Sequence, residues 1–170
     1  VKFRQLLEKM KTTPIDLDVL KKKLPDYCTT MRYMDLKGKH RSELFKSHDC
    51  IVVHIPKKES KVGHFIVLIA RGTHIEYFSS TGGSPDSDLE KLGQVHEIMK
   101  GVLGKHYIYN RVKLQSGKYN INSCGAWVLA RVKLAHLKLR EFQLLFRKVH
   151  LHDADAVVSA LVLLDFVNKD

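Results

Sequence analysis

The chain of 170 residues carries a formal net charge of +11 with histidine neutral, and 44% of its residues are hydrophobic. Such a chain fits one globular domain that buries a core without a metal, and its three cysteines are too few for the disulfide framework of a small secreted protein, so a reducing compartment is expected. No segment approaches the ~18 continuous apolar residues of a membrane span or the apolar region of a signal peptide, so we expect no membrane contact.

Residues 1–49 are predicted to hold the N-terminal helices and an irregular connection. A short amphipathic helix is expected over Phe3 to Met10 and a second helix over Ile15 to Leu24. The polar and basic segment Asp26 to Ser47 has few periodic apolar positions, which predicts a connection with about one short element. The sequence begins with Val1 rather than Met, which leaves open that its N-terminus is trimmed or lies inside a longer product.

Three β-branched runs in the middle of the chain predict strands. They cover Cys50 to Ile55, Gly63 to Ala70, and His74 to Phe78. The second run is apolar on both faces, which indicates a strand inside a sheet that is covered on both sides. A tight connection at 71–73 joins the second run to the third, as in a hairpin.

Beyond these strands the sequence predicts a helix, one further strand and three more helices. The helix covers Asp86 to Leu103 and the strand His106 to Leu114; the last helices cover Cys124 to Leu137, Leu139 to Val149, and Asp153 to Val167. This order of elements indicates an α+β domain. We treat residues 1–170 as a single domain whose catalytic core is residues 50–170.

A polar turn leads directly into a cysteine at the start of an apolar helix. The stretch Tyr119 to Leu129 reads Y-N-I-N-S-C-G-A-W-V-L, and Asn122 or Ser123 would cap the helix. Because the free amides and the dipole of a helix N-terminus stabilise negative charge, we expect the pKa of the Cys124 thiol to lie below its usual ~8.5. The alternative is a small buried hydrophobic residue without chemistry.

A cysteine nucleophile needs a base within hydrogen-bond reach, and the chain has ten histidines. His64 is the first candidate, since Gly63 precedes it and a buried strand follows, which places it at the mouth of a central strand. His74 begins the neighbouring strand and is a weaker candidate. His54 lies inside a predicted strand shortly before Pro56, which indicates a core or edge role. The Cys and His spacings lack the paired Cys-x-x-Cys pattern of a structural zinc site, so no metal is predicted.

Four motifs follow one another in order: G-H-F at 63–65, Y-F-S-S-T-G at 77–82, the single residue Gln115, and N-S-C-G-A-W at 122–127. By this order and spacing, roughly Cys50 to Leu137 resembles the adenain family of viral cysteine proteases, a group that also resembles the ubiquitin-like-protein proteases. The chain is most similar to the capsid-maturation proteases of virophages and polinton-type viruses. The resemblance implies a papain-like fold in permuted order, with a mixed central sheet flanked by helices.

The resemblance also implies the roles of the site residues. Cys124 would be the nucleophile, His64 the general base, and Gln115 an oxyanion donor together with the backbone N–H of Cys124. Gln115 lies nine residues before Cys124, farther than the family usually places it. Asn120 or Asn122 is therefore an alternative for part of its role.

The sequence departs from the family at the acidic member of the triad, where it has Ser79. A serine can accept the imidazole N–H bond and fix the tautomer, but it carries no charge. Glu76 would point to the opposite face of its strand, whereas Asp86 or Asp88 beyond the turn could reach back. Phe65 replaces the usual Trp after the histidine and keeps an aromatic cover.

The function implied by the resemblance is a thiol endopeptidase that cleaves viral capsid precursor proteins next to small residues such as Gly, through an acyl-thioester on Cys124. No cofactor is expected, and stimulation by DNA or a peptide stays open. A monomer is expected, located in the virion and in the viral factory of the host-cell cytoplasm.

Two alternatives remain. The same site is compatible with deconjugation of a ubiquitin-like modifier or with acyl transfer to or from such substrates. The chain is also compatible with a basic, non-enzymatic domain that binds nucleic acid, because the +11 charge is spread along the sequence and attracts polyanions without reading bases.

Overall fold

Five strands form one mixed sheet in the residues that the computed structural model describes, 17–59, 63–114 and 124–147. The strands are β1 (Cys28–Arg32), β2 (Cys50–Pro56), β3 (Gly63–Ala70), β4 (Ile75–Phe78) and β5 (Tyr107–Tyr109). Their order in the sheet is β1-β2-β3-β4-β5. The pairs β2–β3 and β3–β4 are antiparallel, whereas β1 and β5 run parallel to their neighbours at the two edges.

Helices cover both faces of the sheet, which confirms the predicted α+β class. Within the described ranges they are α1 (Leu17–Lys23), a 3₁₀ helix (Tyr33–Leu36), α2 (Arg41–Leu44), α3 (Pro85–Leu92), α4 (Glu97–Leu103), α5 (Cys124–Lys133) and α6 (Leu139–Arg147). None of the helices seen in these ranges combines the length and the apolar character needed to cross a bilayer.

The alternating side chains of β3 divide the core into two layers. Phe65, Val67 and Ile69 pack with the buried residues of α1, α5 and α6. Ile66 and Leu68 pack on the other side with the 3₁₀ helix, α3 and α4. Both faces of the strand are therefore buried, as its apolar pattern predicted.

A buried ion pair fixes α5 to the sheet. Glu76 of β4 and Arg131 of α5 are both fully buried, and Arg131 Nε and Nη2 donate to the two carboxylate oxygens at 2.9 and 3.1 Å. Arg71 adds two longer bonds to the same carboxylate, from Nη2 at 3.2 Å and from Nε at 3.4 Å. Glu76 therefore points towards α5 and is paired with Arg131. This agrees with the prediction that its side chain lies on the opposite face of the strand from position 79.

Two predicted elements differ in the structure: the helix is divided in two and the strand is shorter. In each case a single residue explains the interruption. The helix predicted over Asp86 to Leu103 is divided into α3 and α4 because Gly93 adopts a left-handed conformation and its N–H bonds the Glu90 carbonyl. The strand predicted over His106 to Leu114 ends at Tyr109. There Asn110 folds back through side-chain bonds to both backbone groups of Val112.

The prediction of an irregular connection over Asp26 to Ser47 is wrong, since this segment contains β1, the 3₁₀ helix and α2. β1 is an edge strand of intermediate burial, so it lacks the alternation that marks a strand in sequence. The second predicted helix is seen over Leu17–Lys23. The helices predicted over Phe3 to Met10 and Asp153 to Val167 lie outside the described residues.

Candidate active site

The histidine predicted as base lies at the start of β3. Its Nε2 atom is 2.8 Å from the Oγ atom of Ser79, the residue that follows β4. The antiparallel register of the β3–β4 hairpin brings the two together across the sheet. Gly63 is required just before His64, because a Cβ there would meet His54 Nε2 at 2.5 Å and the Ile55 carbonyl at 2.7 Å.

The predicted nucleophile approaches the same end of the sheet. Cys124 is the first residue of α5, is 4% exposed, and belongs to the core layer that contains Phe65. The backbone N–H groups of Phe65, Gly125 and Cys124 lie close enough to the sulfur to lower the pKa of the thiol. Since Phe65 directly follows His64, the sulfur lies near the backbone of the strand that carries the predicted base.

Burial acts on the two groups in opposite directions, because it disfavours whichever form is charged. It raises the pKa of the Cys124 thiol above the ordinary 9.0, and the backbone hydrogen bonds to the sulfur offset this only in part. It also lowers the pKa of His64 below the ordinary 6.5, against the opposing charge of Asp88. The direction of the shift at Cys124 contradicts the predicted acidic thiol, and burial of both groups favours a thiol and a neutral imidazole over a thiolate and an imidazolium.

This pair predicts how Cys124 reacts with a small alkylating reagent. Because the thiolate is the reactive form, the rate of modification by iodoacetamide should rise about tenfold per pH unit between pH 6 and 9. Mass spectrometry of the peptide that contains Cys124 measures the rate, and the same peptide in urea, with an ordinary thiol, is the control. A rate that is already constant above pH 7 would contradict a neutral resting thiol.

The hydrogen bond to His64 continues into a chain of hydroxyl groups. Ser79 Oγ lies 2.8 Å from Thr81 Oγ1, and Thr81 Oγ1 donates to Asp88 Oδ1 at 3.2 Å. The other carboxylate oxygen of Asp88 accepts a 2.7 Å bond from the Tyr77 hydroxyl. Asp88 is 4% exposed. A buried carboxylate thus stands two hydroxyl groups away from the imidazole.

Of the two acids proposed to reach back from beyond the turn, only Asp88 does so, and it does so indirectly. Asp86 is exposed and pairs with His96 at 2.9 Å instead. Both carboxylates lie in the first turn of α3, two residues apart, so their side chains leave the helix in different directions.

Asn110 holds the backbone of the serine in place. It is fully buried, and its side-chain amide donates to the Ser79 carbonyl at 2.9 Å. Gln143 of α6 in turn donates to Asn110 Oδ1 at 2.8 Å, and the Leu114 N–H bonds the Ser80 carbonyl at 2.9 Å. The segment that leads towards residue 115 is thereby anchored against the turn that carries the hydroxyl groups.

Of the four predicted site residues, His64 and Ser79 are in contact, and the sulfur of Cys124 lies near the backbone of Phe65, the residue that follows His64. The fourth, Gln115, lies outside the described residues, as do its alternatives at positions 120 and 122. His74 is at the opposite end of β3 and β4 from His64, in the hairpin connection. His54 packs its ring 5.0 Å from the Phe65 ring, in agreement with a core or edge role.

Sequence reasoning missed Tyr77 and Thr81 as members of the hydrogen-bonded network. Hydroxyl residues stand at every second position from Tyr77 to Thr81, but Thr81 lies in the turn after β4, so its contact with Asp88 depends on the path of that turn. In the parts of the chain that are described, no three Cys, His, Asp or Glu side chains form a group able to hold a metal ion.

Comparisons with known proteins give partial likenesses. No family model matches the sequence. An uncharacterized protein of Sputnik virophage is 31% identical over 106 residues, which cover 55% of this chain and 59% of that protein, so the chain matches less than two thirds of this relative's length.

Two solved structures are similar at low sequence identity. The C-terminal Ulp1 protease domain, in complex with Smt3, the yeast ortholog of SUMO, is 14% identical with a TM-score of 0.45, over 95% of this chain and 82% of that one. An ASFV protease is also 14% identical, with a TM-score of 0.43 over 78% and 57% of the two chains.

Proposed function

We propose that the chain is a papain-like cysteine endopeptidase in permuted order, which cleaves viral capsid precursor proteins next to small residues such as Gly. The observation that carries the proposal is the 2.8 Å contact between His64 and Ser79, and the nearness of the Cys124 sulfur to the Phe65 backbone supports it. We assign the nucleophile to Cys124 of α5, the base to His64 of β3 and the orienting hydroxyl to Ser79 after β4.

The reaction starts from the neutral pair. With Nε2 engaged by Ser79, Nδ1 of His64 is the nitrogen that takes the proton from Cys124 as the sulfur attacks the substrate carbonyl. The tetrahedral intermediate collapses when the C–N bond breaks and His64 returns the proton to the leaving amine. Water, deprotonated by the same imidazole, then hydrolyses the thioester and releases the second product and the thiol.

Developing charge on the substrate oxygen needs donors close to the sulfur. The backbone N–H of Cys124, at the start of α5, is suited to this role, and we assign the second donor to the side-chain amide of Gln115. One such donor is commonly worth ~3 kcal/mol of transition-state stabilisation.

The proposed substrates follow from the motif order and from the partial identity to a virophage protein. We propose that the enzyme acts as a monomer on capsid precursors, in the viral factory and the virion, without a required cofactor. The net charge of +11 supports non-specific contact with DNA, which would bring the enzyme to substrates assembled on the genome.

The test is to incubate the purified chain with the capsid precursor of the same virus and to identify the new termini by mass spectrometry. Cleavage next to small residues, blocked when Cys124 is alkylated beforehand, is the expected result. A parallel sample receives a ubiquitin-like protein whose C-terminal Gly-Gly carries an electrophile. Labelling of Cys124 by this probe without precursor cleavage would favour deconjugation, and the absence of both reactions would leave a non-enzymatic basic domain.

A further inference from the structure

The hydrogen bonds that lead away from His64 can have only one direction. A carboxylate only accepts hydrogen bonds, so Asp88 must receive a proton from the Thr81 hydroxyl. Thr81 has then used its own hydrogen and must accept from Ser79, which lies 2.8 Å away. Ser79 in turn accepts from His64, so the proton of the neutral imidazole sits on Nε2.

We propose that Asp88 is the positioning residue that takes the place of the missing triad acid, acting on His64 through Thr81 and Ser79. This inference rests on the proposed function, since it explains how His64 presents an unprotonated Nδ1 to Cys124. The carboxylate does not touch the imidazole. It sets the direction of the two intervening hydroxyl groups, and the hydroxyl groups select the tautomer.

The surroundings of Asp88 hold it in this role. The Tyr77 hydroxyl binds its second oxygen at 2.7 Å inside the core, and the carboxylate lies in the first turn of α3, where a helix favours negative charge. Gly83 leaves the necessary space, because a Cβ there would come within 2.6 Å of Asp88 Oδ1. The turn that connects β4 to α3 is thus shaped around the carboxylate.

The charged groups that act on His64 come from two other elements. Asp88 of α3 raises the pKa of the imidazole, whereas His54 of β2 lowers it and burial lowers it further. On the side of α5, the thiol of Cys124 lies near the backbone of Phe65, and burial favours its uncharged form. Because Asp88 is the one of these that stabilises imidazolium, its removal should shift the acidic limb of the kcat/KM profile to lower pH.

The first variants to compare are Asp88→Asn and Thr81→Val. An amide at position 88 can donate to Thr81, which permits the whole chain to reverse and moves the imidazole proton to Nδ1. Valine at position 81 removes the link and keeps the volume. Each variant should lower kcat by about 10–100-fold with little change in KM, as loss of an outer hydrogen-bond partner commonly does. Because both break one chain, the double variant should be no worse than the more impaired of the two single variants.

The matched control is Asp86→Asn, which makes the same chemical change two residues away at an exposed position and should leave kcat unchanged. Rescue is tested by adding Ser79→Asp to Asp88→Asn. A carboxylate placed directly on Nε2 should recover most of the lost activity, a result that a purely structural role for Asp88 would not produce.

An NMR measurement of the His64 tautomer requires no substrate, so it tests this inference independently of the proposed protease activity. In ¹⁵N NMR spectra, with His64 assigned by its absence in His64→Gln, the wild type should show the Nε2–H tautomer and Asp88→Asn a population of Nδ1–H. The same tautomer in both proteins, or independent losses of kcat in Asp88→Asn and Thr81→Val, would overturn the relay. If the wild type shows the expected tautomer and cleaves no substrate, the relay stands and the protease assignment fails.

Discussion

Replacing Cys124 with alanine should reduce precursor cleavage by more than about 10⁴-fold, because the variant has no atom that can form the acyl-enzyme. Neither the imidazole nor the hydroxyl groups can replace the sulfur in this step. Densitometry of the precursor and its products, at enzyme concentrations spanning several decades, measures the effect. Thermal denaturation of the variant shows that the fold is retained.

A second buried cysteine provides the matched control. Cys28 is 8% exposed, and its register partner in the neighbouring strand β2 is Cys50, which is also a free thiol. Both lie at the end of the sheet opposite His64. The variant Cys28→Ala makes the same change in a similar environment and should keep cleavage near the wild-type rate. Equal rates in Cys124→Ala and wild type would rule out the thiol mechanism altogether.

The largest effect on stability is expected for Glu76→Gln. The substitution keeps the shape of the side chain and leaves the fully buried Arg131 guanidinium without a counter-charge. Removal of one member of a buried ion pair commonly costs about 3–5 kcal/mol, because the remaining charge cannot return to water. Urea denaturation at pH 7, followed by circular dichroism, measures the free energy of unfolding.

The comparison that isolates burial is Asp86→Asn. It makes the same carboxylate-to-amide change in the exposed pair with His96, where the effect should be about 0–1 kcal/mol. Similar losses in Glu76→Gln and Asp86→Asn would show that α5 is held to the sheet by apolar packing rather than by the ion pair.

The sequence predicted the central strands for clear physical reasons, whereas the pairing of His64 with position 79 was implied by the family resemblance. The run at 63–70 is apolar on both faces, as expected of a central strand that is covered on both sides, and a tight connection joins it to β4. The α+β class followed from the order of such elements. These features depend on local pattern and on short connections, which a sequence displays directly.

The network around Ser79 was less accessible to sequence reasoning. Asp88 was one of two acids considered, and its selection depends on the path of the turn at Gly83 and on a contact with Tyr77. The direction of the pKa shift at Cys124 was also missed. A helix start indicates a low pKa, but the depth of burial, which reverses the direction, is a property of the assembled core.

The proposed site residues come from two parts of the chain that are far apart in sequence. His64 and Ser79 are 15 residues apart and belong to one hairpin, whereas Cys124 arrives on α5, which the Glu76–Arg131 pair holds to that hairpin. Partial unfolding that releases α5 would separate the nucleophile from its base and leave the hydroxyl chain intact. We therefore expect mild denaturant to abolish activity before the sheet unfolds, so that the loss of activity measures the release of α5 from the sheet.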